Sequence, residues 1–246
     1  MPLALKNLIF AVVWFLSLQA ASQTQTQTPT QTSTPTQTKQ DTMAKRMQAC
    51  TTCHGAQGIS SNQAYFPRIA GKPTQYLFNQ LQNFKEGRRH YGLMVGMVEH
   101  LSDAYLLEMA QYFSQLDLPY APPTRLKTIV SEATLKLGKT LASHGVKSRN
   151  IPACTACHGA ALMGVQPAIP ALLGLPRDYL VAQLGGWQTG LRRTHAPDCM
   201  GRVAKLLKPA DVEAVASWLS IQPVPSYSKP AASLPEPLSE KCGGVP

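Results

Sequence analysis

The chain has 246 residues, with 23 Lys or Arg against 13 Asp or Glu and a formal charge of +10 at pH 7. That length leaves room for two small domains once a leader and a linker are set aside, each near the lower size limit for a self-sufficient core. The basic residues form no run interleaved with aromatics, which argues against a nucleic-acid partner.

The first residues read as an export signal. Lys6 supplies a positive n-region, Leu8 to Leu18 is an apolar run of eleven residues, and Ala20-Ala21-Ser22 offers small residues at the −3 and −1 positions. The run is too short for a comfortable membrane span, so residues 1–22 are a predicted signal peptide cleaved after Ser22, with the periplasm as destination. The alternative is an uncleaved leader that anchors the protein at the periplasmic face. Residues 23–40 are nearly all Thr, Gln and Pro. With no apolar side chain to bury, they are a predicted disordered linker.

A helix over roughly Asp41 to Gln48 is expected to precede Cys50-Thr51-Thr52-Cys53-His54, and one over Glu132 to Ser143 to precede Cys154-Thr155-Ala156-Cys157-His158. Cys-x-x-Cys-His is the attachment signature of c-type haem. Two cysteines at this spacing reach both vinyl groups of one porphyrin, and the next residue offers its imidazole to the iron. A zinc site pooling the two pairs would leave the matching segments downstream unexplained. A thioredoxin-like pair expects a βαβ setting. The expected cofactors are therefore two covalently bound c-type haems, held by Cys50 and Cys53 and by Cys154 and Cys157, with His54 and His158 as axial ligands.

The motifs head two copies of one unit. In the first, residues 65–71 form a turn containing Pro67, and a helix runs from Thr74 to near Gly87 with Leu77, Leu81 and Phe84 on one face. A last helix follows the cap Ser102-Asp103, burying Leu106, Met109, Ala110 and Phe113. In the second, the turn of residues 168–174 contains Pro170. Leu180, Leu184 and Trp187 repeat the first helix face, Gly190 sits where Gly87 sits, and a last helix starts at Pro209. Each proline turn is expected to offer a carbonyl to the histidine's Nδ1–H, steering the ring. No convincing alternating β pattern appears. The predicted fold is all-α: two tandem helical domains, 41–118 and 124–222, each wrapping one haem. A stiff Pro-rich linker, 119–123, joins them, and a Pro-rich non-helical tail, 223–246, follows.

The second axial position decides the chemistry. An open one invites oxygen, peroxide or carbon monoxide, and a methionine closes it and raises the potential. The candidates are Met94, Met97, His90 and His100 in the first copy and Met200, Met163, His195 and Cys199 in the second. Aligning the last helices superimposes Met94 on Met200, while Met97 meets Val203 and Met163 meets Ile59. Met94 and Met200 are therefore the expected ligands, Met97 and Met163 packing residues, and the histidines surface residues. Taking away the four cysteines of the motifs leaves Cys199 and Cys242. A disulfide between them is expected in an oxidising compartment, where it would tie the tail across the second haem pocket. The alternatives are two free thiols, or Cys199 on the iron in place of Met200.

Charge is uneven. Residues 41–118 hold seven Lys or Arg against six Asp or Glu, and residues 124–223 hold twelve against five. The basic second half suits docking to an acidic redox protein or association with an anionic membrane surface.

At these residues the chain resembles a known family. CTTCHG, YFPRIAG, YLFNQLQNFKEGRR, LMVGM and LSD…LLEMAQYF are similar to the first half of a di-haem cytochrome c4, and CTACHG, IPALLG, YLVAQL and CMGRVAKL to its second half. The likeness covers nearly all of residues 41–222. It implies a periplasmic electron carrier built of two class I cytochrome c domains, with His54 and Met94 on one iron and His158 and Met200 on the other. Its implied partners are a respiratory-chain donor and a terminal oxidase. Leu175-Pro176 in place of the family's Gly-Gln, Cys199 beside Met200, the Thr/Gln-rich leader and the Pro-rich tail depart from the pattern. The expected function is electron transfer without catalysis. The alternatives are a haem subunit of a larger dehydrogenase or terminal oxidase complex, and a di-haem enzyme such as a peroxidase or thiosulfate-oxidising cytochrome.

Overall fold

A computed structural model describes residues 41–60, 65–123, 130–225 and 229–246. The expected signal peptide (1–22) and linker (23–40) lie outside the described residues. Residues 41–246 form one compact unit.

The first half begins with α1 (Met43–Arg46), capped by the Thr42 hydroxyl, which accepts from the Lys45 amide. The chain breaks at Met47, which is buried in the core, and resumes as α2 (Gln48–His54). The expected single helix before the motif is thus two pieces, and the second carries both cysteines and the histidine. α3 (Thr74–Lys85) starts directly after Pro73 and buries Leu77 and Phe84. α4 (Gly92–Val98) carries Met94. α5 (Asp103–Ser114) is capped by Ser102, whose hydroxyl accepts from the Tyr105 amide. α5 packs across α3 through Leu106, Met109 and Phe113 around one apolar core.

The second half repeats this plan. α6 (Glu132–Ser143) is capped by Ser131, and α7 (Cys154–His158) carries the second motif. α8 (Arg177–Thr189) stops at Gly190, which takes the left-handed conformation expected of a helix-ending glycine. α9 (Cys199–Leu206) carries Met200 and is capped by Asp198, whose carboxylate accepts from the Gly201 amide. α10 (Pro209–Ser220) opens on Pro209. It crosses α6 at Gly138, where a β-carbon would come within 2.1 Å of the Ala214 carbonyl oxygen. Only glycine allows that approach. The second core gathers Leu141, Leu173, Leu180, Val212, Val215 and Leu219.

One feature departs from the sequence expectation. A short antiparallel hairpin, β1 (Gly164–Val165) with β2 (Ile169–Pro170), forms the turn after the second motif. Two-residue strands are too short to show an alternating pattern. The Pro-rich linker, 119–123, has partners on both sides. The Arg68 guanidinium donates to the carbonyls of Leu118 and Pro119 and lies 4.0 Å from the centre of the Tyr120 ring, which packs against the second core.

Candidate haem centres

Each centre is built from one short helix and one turn. In α2, Cys50 and Cys53 are one helical turn apart and His54 follows at the last helical position; in α7, Cys154, Cys157 and His158 stand alike. Both helices end at once on a glycine at positive φ, Gly55 at 76° and Gly159 at 80°. A side chain there would be strained, and at Gly159 it would also press on Val165. The chain can therefore reverse beside the imidazole instead of extending past it.

The reversed chain then returns to the histidine. His54 Nδ1 lies 2.8 Å from the Pro67 carbonyl oxygen, and His158 Nδ1 lies 2.8 Å from that of Pro170. A carbonyl only accepts, so both rings carry the proton on Nδ1 and leave the Nε2 lone pair free for a metal. Burial pushes both imidazoles below the ordinary histidine pKa, so each is neutral at pH 7. The turns are held by matching bonds: the amides of Ile69 and Ala70 donate to the Gly58 carbonyl, and those of Leu172 and Leu173 to Leu162.

None of the four motif cysteines is in a disulfide. Burial raises the pKa of Cys50 and lifts that of Cys154 to about 11, and it raises that of Cys157 against the opposing pull of Arg202. Paired thiols on one helical face, a neutral imidazole with a free Nε2 and an apolar surround fit a covalent haem at each place.

The candidates for the second axial position separate by environment. Met94 and Met200 are both half-buried, on α4 and α9. Met97 is 49% exposed and Met163 is buried in the second core. His90, His100 and His195 are exposed. Cys199 is bonded to Cys242, with their Cα atoms 5.5 Å apart.

Between the centres lies a network that the motif reading passed over. The Arg89 guanidinium donates to Gln80 Oε1, Gln183 Oε1 and the Tyr179 hydroxyl. Arg192 donates to the same two glutamine oxygens and lies within electrostatic reach of Tyr76. Arg89 covers the Phe84 ring and Arg192 the Trp187 ring. Main-chain bonds from His90 to Leu191 and from Arg193 to Arg88 join the halves. Every one of these side-chain pairs is related by the 103-residue shift of the repeat, which was the available signal. Lys72, from the first half, is another missed residue. It is buried, its charge bears on His158, and burial together with Arg68 lowers its pKa to about 8.

No family model matches the chain. Among curated proteins it is 39% identical over 176 residues to the thiosulfate dehydrogenase electron acceptor of Thiomonas intermedia (strain K12), covering 72% of this chain and 79% of that protein. It is 33% identical over 187 residues to cytochrome c4 of Stutzerimonas stutzeri, covering 71% and 84%. Among solved structures, reduced recombinant cytochrome c4 from Pseudomonas stutzeri matches with a TM-score of 0.62 at 32% identity, over 72% of this chain and 95% of that one. Thiosulfate dehydrogenase from Marichromatium purpuratum matches with a TM-score of 0.63 at 30% identity, over 71% of this chain but only 36% of that one.

Proposed function

The chain belongs to the cytochrome c4 family of di-haem electron-transfer cytochromes, and on that premise we propose that it is the periplasmic acceptor of electrons from a thiosulfate-oxidising dehydrogenase. A haem held at each centre would supply one-electron chemistry between ferrous and ferric iron. The chain's own residues set the terms. His54 and His158 present Nε2 as ligands, and the Pro67 and Pro170 carbonyls fix ring orientation and strengthen each nitrogen as a donor. Met94 and Met200, half-buried on α4 and α9, would hold the other side of each haem as soft thioethers, which would favour ferrous iron and close the position to a substrate. A chain so closed at both irons would carry electrons without a substrate of its own.

The thiosulfate partner rests on the relatives. One is named an electron acceptor of that enzyme, and one thiosulfate dehydrogenase contains, in about a third of its own length, a part like this chain. Parts fused in one molecule commonly work together in another. The basic second half, twelve Lys or Arg against five Asp or Glu over residues 124–223, supplies a docking field for an acidic partner. Electrons then pass to a respiratory oxidase.

The observation that supports the carrier reading is the pair Met94 and Met200, half-buried at matching positions of the repeat, together with a histidine held to a carbonyl at each centre. The test is stopped-flow absorbance. Thiosulfate with a thiosulfate dehydrogenase should reduce the oxidised protein, at a rate that falls as salt rises. Reduction by thiosulfate alone would make the chain an enzyme, and no reduction with the dehydrogenase would remove that partner.

A further inference from the structure

The two centres are alike in their histidines but not in their methionine loops. Residues 229–246 run as an extended strap over the second half. Ala231 joins β1 by two main-chain bonds, its amide to the Gly164 carbonyl and its carbonyl from the Gln166 amide. This hairpin also carries Pro170, the partner of His158. Further on, Arg202 of α9 pairs with Glu240, and Cys242 is bonded to Cys199, the neighbour of Met200. Gly243 donates its amide to the Pro197 carbonyl and sits so close that a β-carbon would come within 2.3 Å of the His195 oxygen. Asn79 of α3 then donates to the Gly244 carbonyl at 2.6 Å. The strap thus joins the turn on the histidine side of the second centre to the loop on its methionine side. Among the described residues the first centre has nothing similar. Leu93 takes the place of Cys199 before Met94 and is 64% exposed.

We propose that the strap is a positioning element for Met200: the Cys199–Cys242 bond and the seat of Gly243 on residues 195–197 fix the start of α9, and with it the sulfur ligand of the second haem only. The inference rests on the reading of Met200 as an axial ligand. Two centres with the same donors then differ in how firmly the methionine is held, firmly at the second and loosely at the first.

The test uses the holoprotein and two ligation readouts, the weak sulfur-to-iron band of the ferric form and carbon monoxide binding by the ferrous form. In Cys242→Ser, half of the band should vanish at a lower temperature than in the wild type. Carbon monoxide should bind one of the two haems about tenfold faster or more, the scale on which a ligand loses its outer support. Band and carbon monoxide kinetics that match the wild type would overturn the proposal. Met200→Ala separates this failure from failure of the premise. If that variant keeps the full band, Met200 is not the ligand, whatever the strap does. Should Cys242→Ser not accumulate with haem, the ferrous wild-type protein can be treated with a water-soluble phosphine. The phosphine is oxidised to its oxide with oxygen from water, and the disulfide is reduced to two thiols. Faster carbon monoxide binding at one haem supports the strap; no change overturns it.

Discussion

A histidine serves as a metal ligand when its second nitrogen is engaged and its charge is absent, and His54 and His158 meet both conditions through one carbonyl bond each and through burial. The methionines can be separated by substitution. Met94→Ala and Met200→Ala should each abolish half of the sulfur-to-iron band and lower the potential of one haem. Met97→Ala, at a 49% exposed position, should leave the band whole and cost at most about 0.5 kcal/mol in stability. Loss of the band in Met97→Ala would show that the ligand register of the first half is wrong. Lys72 predicts a pH effect. Its positive charge near His158 favours ferrous iron at the second centre. Its pKa of about 8 means the charge fades as pH rises through that value. The potential of the second haem should therefore fall across that range by something on the order of tens of millivolts. Lys72→Met should lower it already at pH 7 and remove the pH dependence near 8. Redox titration at pH 6 and pH 9 checks both, and equal pH slopes in wild type and variant would refute the assignment.

Elements are placed here by close approach as much as by hydrophobic pattern. At Gly138, α6 and α10 touch along their backbones. Gly138→Ala gains about 1 kcal/mol of helix propensity. It loses about 3 kcal/mol to overpacking against the Ala214 carbonyl. A net loss of about 2 kcal/mol is expected in denaturant unfolding, and a neutral or stabilised variant would show that the helices can move apart. Much of this architecture was legible beforehand. The helices from Thr74, from Ser102-Asp103 and from Pro209 declared themselves by caps and spaced apolar residues, and the proline turns by their place after each motif. The helices around Met94 and Met200 were not legible. Gly92, Gly96 and Gly201 weaken local propensity, and these segments are held by what they pack on. The hairpin at residues 164–170 was too short to show a period. The tail was legible as proline-rich and as carrying the partner of Cys199. Its seat on Pro197 and Asn79 was not, because the first is a main-chain bond that any sequence can make and the second joins an amide side chain to a carbonyl 165 residues away.

At the scale of the whole molecule, two cations help to join the halves, beside the main-chain bonds of residues 88 and 90 with 193 and 191. Arg192 is 7% exposed, and among the described residues neither it nor Arg89 has a carboxylate partner. Burial, and the Arg89 cation beside it, pull the pKa of Arg192 down. Two like charges taken out of water cost several kcal/mol each unless hydrogen bonds replace the hydration. Here the replacement is shared: each guanidinium bonds both Gln80 and Gln183, and each lies over an aromatic ring of its own half. Separation would break the bonds that cross between the halves, from Arg89 to Gln183 and Tyr179 and from Arg192 to Gln80, so the halves should unfold together, in one calorimetric transition. Arg192→Met removes one donor set and leaves Arg89 free to keep both glutamines. Arg89→Met does the converse. Because the two arginines share acceptors, their effects should not add, and a double-mutant cycle should return a coupling of about 0.5–3 kcal/mol. The double variant should show two separate transitions, one for each half. A single transition in the double variant, with additive losses in the single ones, would mean that the main-chain bonds and the strap join the halves without the arginines.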